Sequence, residues 1–282
     1  MPVRTLSEHS CWGGTQGFYE HDSQAVGLPM RFSVYTPPEA RDGPVPLVLY
    51  LAGLTCTEET FPIKAGAQRL AAEHGLMLLA PDTSPRGTGI AAADQDWEFG
   101  TAASFYLDAV QPPWSSHWKM ESWIIRELLP LVLERFGGVE DRVGVCGHSM
   151  GGHGALVLAL RNPGRFKSVS ALAPIASPME CPWGQKAFAG YLGESRELWA
   201  QHDATALLRS GARLPPHILV DQGLADKFLT NQLKPHLLAQ ACEEMGQPIT
   251  LRLHEGYDHS YYFVSTFMPE HLQHHADILH GP

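Results

Sequence analysis

A serine set between glycines is the residue in this chain with the clearest reaction to offer. Gly147-His148-Ser149-Met150-Gly151 fits Gly-x-Ser-x-Gly and is the one such pentapeptide in the sequence. In that pattern a strand ends and a helix begins within one sharp turn, which exposes the serine hydroxyl above a sheet. Side chains at the flanking positions would collide with the neighbouring strand and helix, so glycine is required there. A neutral hydroxyl is a weak nucleophile. It needs a base to take its proton and a third group to orient that base.

The acid and the histidine follow the serine in chain order when such a turn belongs to this kind of hydrolase. Both belong in loops at the carboxyl ends of strands, on the same sheet edge as the serine. Two acids compete after the apolar run 217–221: Asp221 at its end, and Asp226 in the loop Gln222-Gly223-Leu224-Ala225-Asp226. Asp226 is favoured, because a loop residue reaches towards a histidine from the next strand. Asp221 is better placed to hold the turn through backbone hydrogen bonds. The favoured base is His259, in the loop Glu255-Gly256-Tyr257-Asp258-His259-Ser260 just past the last strand pattern.

The other histidines read differently. His254 falls inside a strand pattern, and His271, His274, His275 and His280 fall on a terminal helix. No Glu or Cys ligand pattern accompanies those four, so a solvated helix face is expected rather than a metal site. His148 and His153 are too close to Ser149 in sequence to act as its base and are candidates for shaping the pocket.

An oxyanion needs two backbone N–H donors. One is expected from Met150, directly after the nucleophile. The other is expected from Leu54, in the loop Gly53-Leu54-Thr55 after the apolar run 45–51. Cys56 in the same loop then lies near the serine, either as an inert small residue or as a thiol whose modification blocks the site.

Elements that would position these groups are legible around them. Arg142-Val143-Gly144-Val145-Cys146 is a β-type run before the turn, and 152–160 is helix-forming after it. Further strands are expected at 30–35, 45–51, 76–80, 168–173, 216–221 and 249–254. Helices are expected at about 59–74, 119–136, 229–246 and 260–280, with Pro269 kinking or splitting the last. An early antiparallel strand pair is expected before residue 35. Segments 83–119 and 174–200 read as loop-rich insertions near the active site. The first has aromatics enough to be ordered, among them Trp97, Trp114 and Trp118. Strands alternating with helices predict an α/β fold, with a mostly parallel central sheet covered on both faces, in one domain over 1–282.

Composition narrows the partners. The chain has 282 residues, 44% hydrophobic, enough for a large core. A net charge of −10 argues against nucleic acid or an anionic membrane, which need a basic surface. Five cysteines without a Cys-x-x-Cys pair suggest a reducing compartment. No signal peptide and no apolar run of membrane-spanning length is read, so a cytoplasmic location is expected.

Several longer motifs resemble the S-formylglutathione hydrolase (esterase D) family. They are Leu51-Ala52-Gly53-Leu54-Thr55-Cys56-Thr57, Ala80-Pro81-Asp82-Thr83-Ser84-Pro85-Arg86-Gly87, the segment Gly147 to Ala155, Asp221-Gln222-Gly223 with Asp226 and Phe228, and the segment Gly256 to Phe263. Cys181-Pro182-Trp183-Gly184 and Gly190-Tyr191-Leu192-Gly193 resemble it too, so the likeness spans nearly the whole chain. The resemblance implies an α/β-hydrolase fold and hydrolysis of the thioester S-formylglutathione to formate and glutathione, with side activity on short carboxylesters. It implies Ser149, Asp226 and His259 as the triad, no metal or other cofactor, and a homodimer. Ala52 and Ala225 stand where many or some members have Ser and Asp, and Pro269 is unusual in the terminal helix. A formyl group is small, so a narrow pocket is expected, walled by Trp183 and residues of 83–119. Lys64 and Arg86 are candidates for holding the glutathione part. The rival readings are a general short-chain carboxylesterase using the same residues, and a non-catalytic relative, against which the presence of all three catalytic residue types argues.

Overall fold

Every residue of the apolar run Val45–Leu51 is buried, and the run forms strand β4 inside the sheet. Burial on both faces is what a strand between parallel neighbours requires, and it explains the unbroken apolar composition. A computed structural model describes residues 2–281. One nine-stranded sheet runs in the order β1-β2-β3-β5-β4-β6-β7-β8-β9. Its strands are β1 (Val3–Cys11), β2 (Gly14–Asp22), β3 (Pro29–Thr36), β4, β5 (Met77–Pro81), β6 (Gly138–His148), β7 (Ser168–Leu172), β8 (Ile218–Gly223) and β9 (Ile249–His254). From β5 through β9 all pairings are parallel, and β1, β2 and β3 extend the sheet antiparallel. Helices Met150–Arg161 and Tyr261–Leu279 pack on β6 and β7. This is the α/β-hydrolase architecture.

The antiparallel pair expected before residue 35 is present as β1 and β2. β1 is an edge strand with no fully buried residue, so it needs no apolar alternation. Several elements differ from the sequence expectation. The segment 59–74 is two short helices, Thr60–Lys64 and Gln68–Glu73, separated at Gly66 with φ 66°. The segment 229–246 is also divided. A wide turn at Leu229–Leu233 ends in Lys234 with φ 48°, and helix Pro235–Met245 starts afresh. A left-handed residue followed by proline cannot continue a helix. The terminal helix, in contrast, runs unsplit from Tyr261 to Leu279 through Pro269.

The two segments read as insertions take different forms. Residues 83–119 have little regular structure, yet Phe105, Tyr106, Trp114 and Trp118 are all buried. Residues 174–200 are more regular than expected and contain helices Pro182–Leu192 and Arg196–Ala200. The segments touch through Trp97 and Trp183, whose rings meet edge-on at 5.6 Å.

Candidate active site

Ser149 sits between the end of β6 and helix Met150–Arg161, with φ 59° and ψ −119°. Such a conformation is strained for a residue with a side chain and persists only when neighbours fix it. Here the Ser149 N–H donates to Leu172 O at 3.0 Å, and Ile175 N–H donates to Ser149 O at 3.2 Å. The need for glycine at 151 is steric, because a Cβ there would fall on the Leu51 carbonyl oxygen of β4. The turn thus rests directly on the central strand.

His259 lies in the loop after β9, and Asp226 in the loop after β8. The two loops are tied by Leu224 N–H to His254 O and Ala225 N–H to Tyr257 O, both at 2.9 Å. That zipper brings the side chains into line. His259 Nε2 lies 2.9 Å from Ser149 Oγ, and His259 Nδ1 lies 2.5 Å from Asp226 Oδ2. A carboxylate accepts, so Nδ1 carries the proton and Nε2 is the free lone pair facing the serine hydroxyl. Asp226 is itself held. Phe228 N–H donates to its Oδ1 at 2.8 Å, and Gln222 Nε2 donates to its Oδ2 at 3.3 Å.

Asp221 serves elsewhere. It is fully buried at the end of β8, and Arg252 grips it at 2.6 Å from Nε and 2.5 Å from Nη2. His271 Nε2 lies 3.2 Å from its Oδ2 and His254 Nε2 lies 3.2 Å from its Oδ1. Burial alone would raise its pKa, but hydrogen bonds from His271 and Arg252 hold it well below the usual carboxylate range. Side chains from β9 and the terminal helix therefore occupy this acid, rather than the backbone groups expected for it.

The terminal histidines do not form a solvated face. His271 and His275 are fully buried, His275 between the hydroxyls of Ser168 at 2.6 Å and Ser170 at 2.9 Å. Only His280 of the four is exposed, on the His74 carbonyl at 2.7 Å. A helix lying on the sheet has an inward face, and imidazole is tolerated there when its nitrogens are bonded.

Next to the serine, a Cβ on Gly53 would stand 3.2 Å from Ser149 Cβ, so the loop after β4 passes close to the hydroxyl. Leu54 follows at once. Its N–H and that of Met150, the first of its helix, take no acceptor among the described residues. A cavity of about 310 Å³ opens at this point, and Leu54, Cys56, Lys64, His148, Ser149 and Trp183 all line it. The His148 ring stands 4.5 Å from the His259 ring, and burial followed by the neighbouring His259 charge pushes its pKa well down, so it stays neutral. Burial raises the Cys56 thiol, which keeps it protonated at neutral pH.

The chain is similar to known proteins over its whole length. The Esterase family model matches residues 23–274. An S-formylglutathione hydrolase from Rattus norvegicus is 47% identical over 282 residues, covering 100% of both chains. One from Paracoccus denitrificans is 50% identical over 279 residues, covering 99% of each. The chain belongs to the S-formylglutathione hydrolase family. A solved S-formylglutathione hydrolase structure from Agrobacterium tumefaciens superposes with a TM-score of 0.95 at 45% identity, covering 98% of this chain and 99% of that one. Membership in this family of serine hydrolases makes the chain an enzyme with the hydrolase sheet described above.

Two pocket candidates of the sequence, Arg86 and His153, lie away from the serine cavity of this family member. Arg86 does not line the serine cavity. It is paired with buried Asp82, from Nε at 2.6 Å and Nη2 at 2.9 Å, and lines a separate cavity with Glu58. Its Nη2 also donates to the Cys56 carbonyl at 3.1 Å, which Thr83 Oγ1 meets at 2.5 Å. Arg86 thus braces the back of the loop rather than facing the cavity. Trp97 lines the cavity, as expected of segment 83–119, whereas Thr60, Phe228 and Tyr261 are pocket residues that sequence reasoning missed. Phe228 and Tyr261 each lie two residues beyond a triad candidate, which is the signal that adjacency offered. His153 is buried away from the cavity against Phe105, its pKa pushed down to about 4 by burial.

Among the described residues no helix is long and apolar enough to cross a membrane.

Proposed function

We propose that the enzyme hydrolyses S-formylglutathione to formate and glutathione by two-step acyl transfer at Ser149. The observation that carries the chemistry is the unbroken hydrogen-bonded line Ser149 Oγ, His259, Asp226. The substrate follows from full-length relatives named for that reaction. As the hydroxyl attacks the formyl carbon, His259 Nε2 takes its proton, and the carbonyl oxygen becomes an oxyanion held by the Leu54 and Met150 N–H groups. The C–S bond then breaks, and glutathione leaves with the proton returned by His259. Water gives a proton to the same nitrogen and attacks the formyl ester, releasing formate and restoring Ser149. Asp226 keeps Nδ1 protonated throughout, so Nε2 is always the reacting atom. Cys56, His148 and Trp183 wall the acyl side, and Lys64 stands at the rim. No step calls for a metal or cofactor.

The same machinery would cleave short carboxylesters, since the oxyanion and the histidine do not distinguish sulfur from oxygen leaving groups. Two finer properties are part of the proposal. A homodimer is supported by the family resemblance. A cytoplasmic setting is supported by five cysteines that are all free.

Ser149→Ala is the test. Turnover of S-formylglutathione should fall by several orders of magnitude, about 10⁴-fold or more, as for loss of a nucleophile elsewhere. A purified, folded variant that keeps most of its thioesterase activity refutes the assignment.

A further inference from the structure

The space at Ser149 does not end at His259. A second cavity of about 370 Å³ is lined by Ala225, Lys227, Phe228, Asp258, His259 and Ser260, and it shares the last two and Phe228 with the first. Phe228 and His259 therefore form a wall common to both. Each cavity holds one lysine, Lys64 in the first and Lys227 in the second.

These two amines are unlike most others in the chain. There are six lysines against 30 Asp and Glu, so carboxylate partners are plentiful. Lys186 pairs with Asp96 and Glu98, while Lys119 and Lys234 donate to backbone carbonyls. Lys64 and Lys227 meet no carboxylate among the described residues. They stand over aromatic rings instead, Tyr261 at 5.8 Å and Phe228 at 4.9 Å from the centroid. A ring face steadies an ammonium without consuming its N–H donors, which stay available to an anion. The cavities differ in one further charge. No carboxylate lines the first, whereas Asp258 lines the second. Asp258 Oδ1 is fixed by the Ser260 N–H at 2.9 Å and hydroxyl at 2.6 Å.

We infer that the leaving thiol lies across both cavities, its glycyl carboxylate on Lys64 and its γ-glutamyl amino-acid head on Lys227 and Asp258. The inference rests on the thioesterase reading above. Glutathione carries a carboxylate at each end but an ammonium at one end only. A lone lysine suits the singly charged end, and a lysine with a carboxylate suits the zwitterionic end. The sulfur lies between those ends, which sets the thioester at the shared wall beside His259 and Ser149. The unopposed Lys64 charge at the first cavity also offsets locally the net charge of −10 that would otherwise repel an anionic substrate.

Lys64→Gln and Lys227→Gln, assayed on three substrates, test the orientation. The substrates are S-formylglutathione, its glycyl C-terminal amide, which lacks the glycyl carboxylate's charge, and p-nitrophenyl acetate, which lacks both ends. Each substitution should lower kcat/KM for S-formylglutathione relative to the acetate by about threefold to tenfold, the range for a partly exposed charge-assisted contact. The Lys64→Gln penalty should vanish on the glycyl amide thioester, and the Lys227→Gln penalty should persist. Lys64→Arg and Lys227→Arg should recover most of the loss. Equal penalties from Lys64→Gln on the two thioesters, or a Lys227→Gln penalty that vanishes with the glycyl charge, overturn the orientation. Relative rates moved by neither substitution overturn the clamp while leaving the thioesterase reading intact. Absence of thioester turnover in the unsubstituted enzyme would overturn both.

Discussion

Asp226 Oδ2 lies 2.5 Å from His259 Nδ1, while Asp221, five residues earlier on the same strand-to-loop segment, is bound on both oxygens by Arg252. The two carboxylates have separate tasks, and the separation is geometric. Asp221 ends its side chain among β9 and the terminal helix, and Asp226 ends its own at the serine edge of the sheet.

Replacing each by asparagine should separate the tasks. Asp226→Asn leaves the packing but lets the His259 ring take the wrong tautomer, so kcat should fall about 10⁴-fold with little change in melting temperature. Asp221→Asn takes the buried carboxylate from a partly exposed Arg252, which keeps Glu270, and should cost about 1–3 kcal/mol of stability. Denaturant melts and steady-state kinetics on both variants check this. The idea fails if Asp221→Asn is the catalytically dead one.

Glu58 links pH to stability. It is 4% exposed, and burial together with neighbouring Asp82 pushes its pKa up to about 7. A raised folded-state pKa means that the folded form holds its proton more tightly than the unfolded chain. The associated stability is complete below the ordinary value of 4.5 and is lost as pH rises through about 7. Glu58→Gln should therefore flatten the decline between pH 5 and pH 8 and raise the melting temperature at pH 8 by about 2–4 °C. Parallel thermal melts of wild type and variant across that range decide it; unchanged slopes would show that Glu58 does not titrate there.

Arg86 tests whether loop support matters to the reaction. It meets the Cys56 carbonyl two residues beyond Leu54, the proposed oxyanion donor. Arg86→Met should loosen that donor and lower kcat about tenfold, part of the 10²–10³-fold cost of losing such a donor outright. KM should change less, because the loop's back rather than the cavity is affected. A rise in KM at constant kcat would instead place Arg86 in substrate binding.

The residues of the proposed triad and the sheet core were legible because their requirements are local. Gly147 to Gly151 fixes a turn by excluding Cβ atoms, and β4 shows its double burial as an unbroken apolar run. Asp226 and His259 were readable as strand-end loop residues, since chain order and periodicity suffice to find strand ends. The same reasoning went astray where an element's neighbours decide its form. β1 carries little apolar pattern because it is an edge, and Pro269 leaves the terminal helix unsplit against the sheet. The burial of His271 and His275 depends on which helix face meets β6 and β7, a relation between segments more than 100 residues apart.

By itself, then, the sequence determined the nucleophilic turn, the order of acid and base, the layered α/β plan and the family, because each is written in short-range sterics, in periodicity or in long motifs. The tertiary structure decided which carboxylate faces His259 and that Arg86 supports a loop instead of lining the cavity. It also decided that the cavity lined by Lys227 shares a wall with the serine cavity. Those outcomes depend on distances between loops from different strand ends, which the twist of the sheet and the packing of its crossovers set, and no spacing along the chain encodes them.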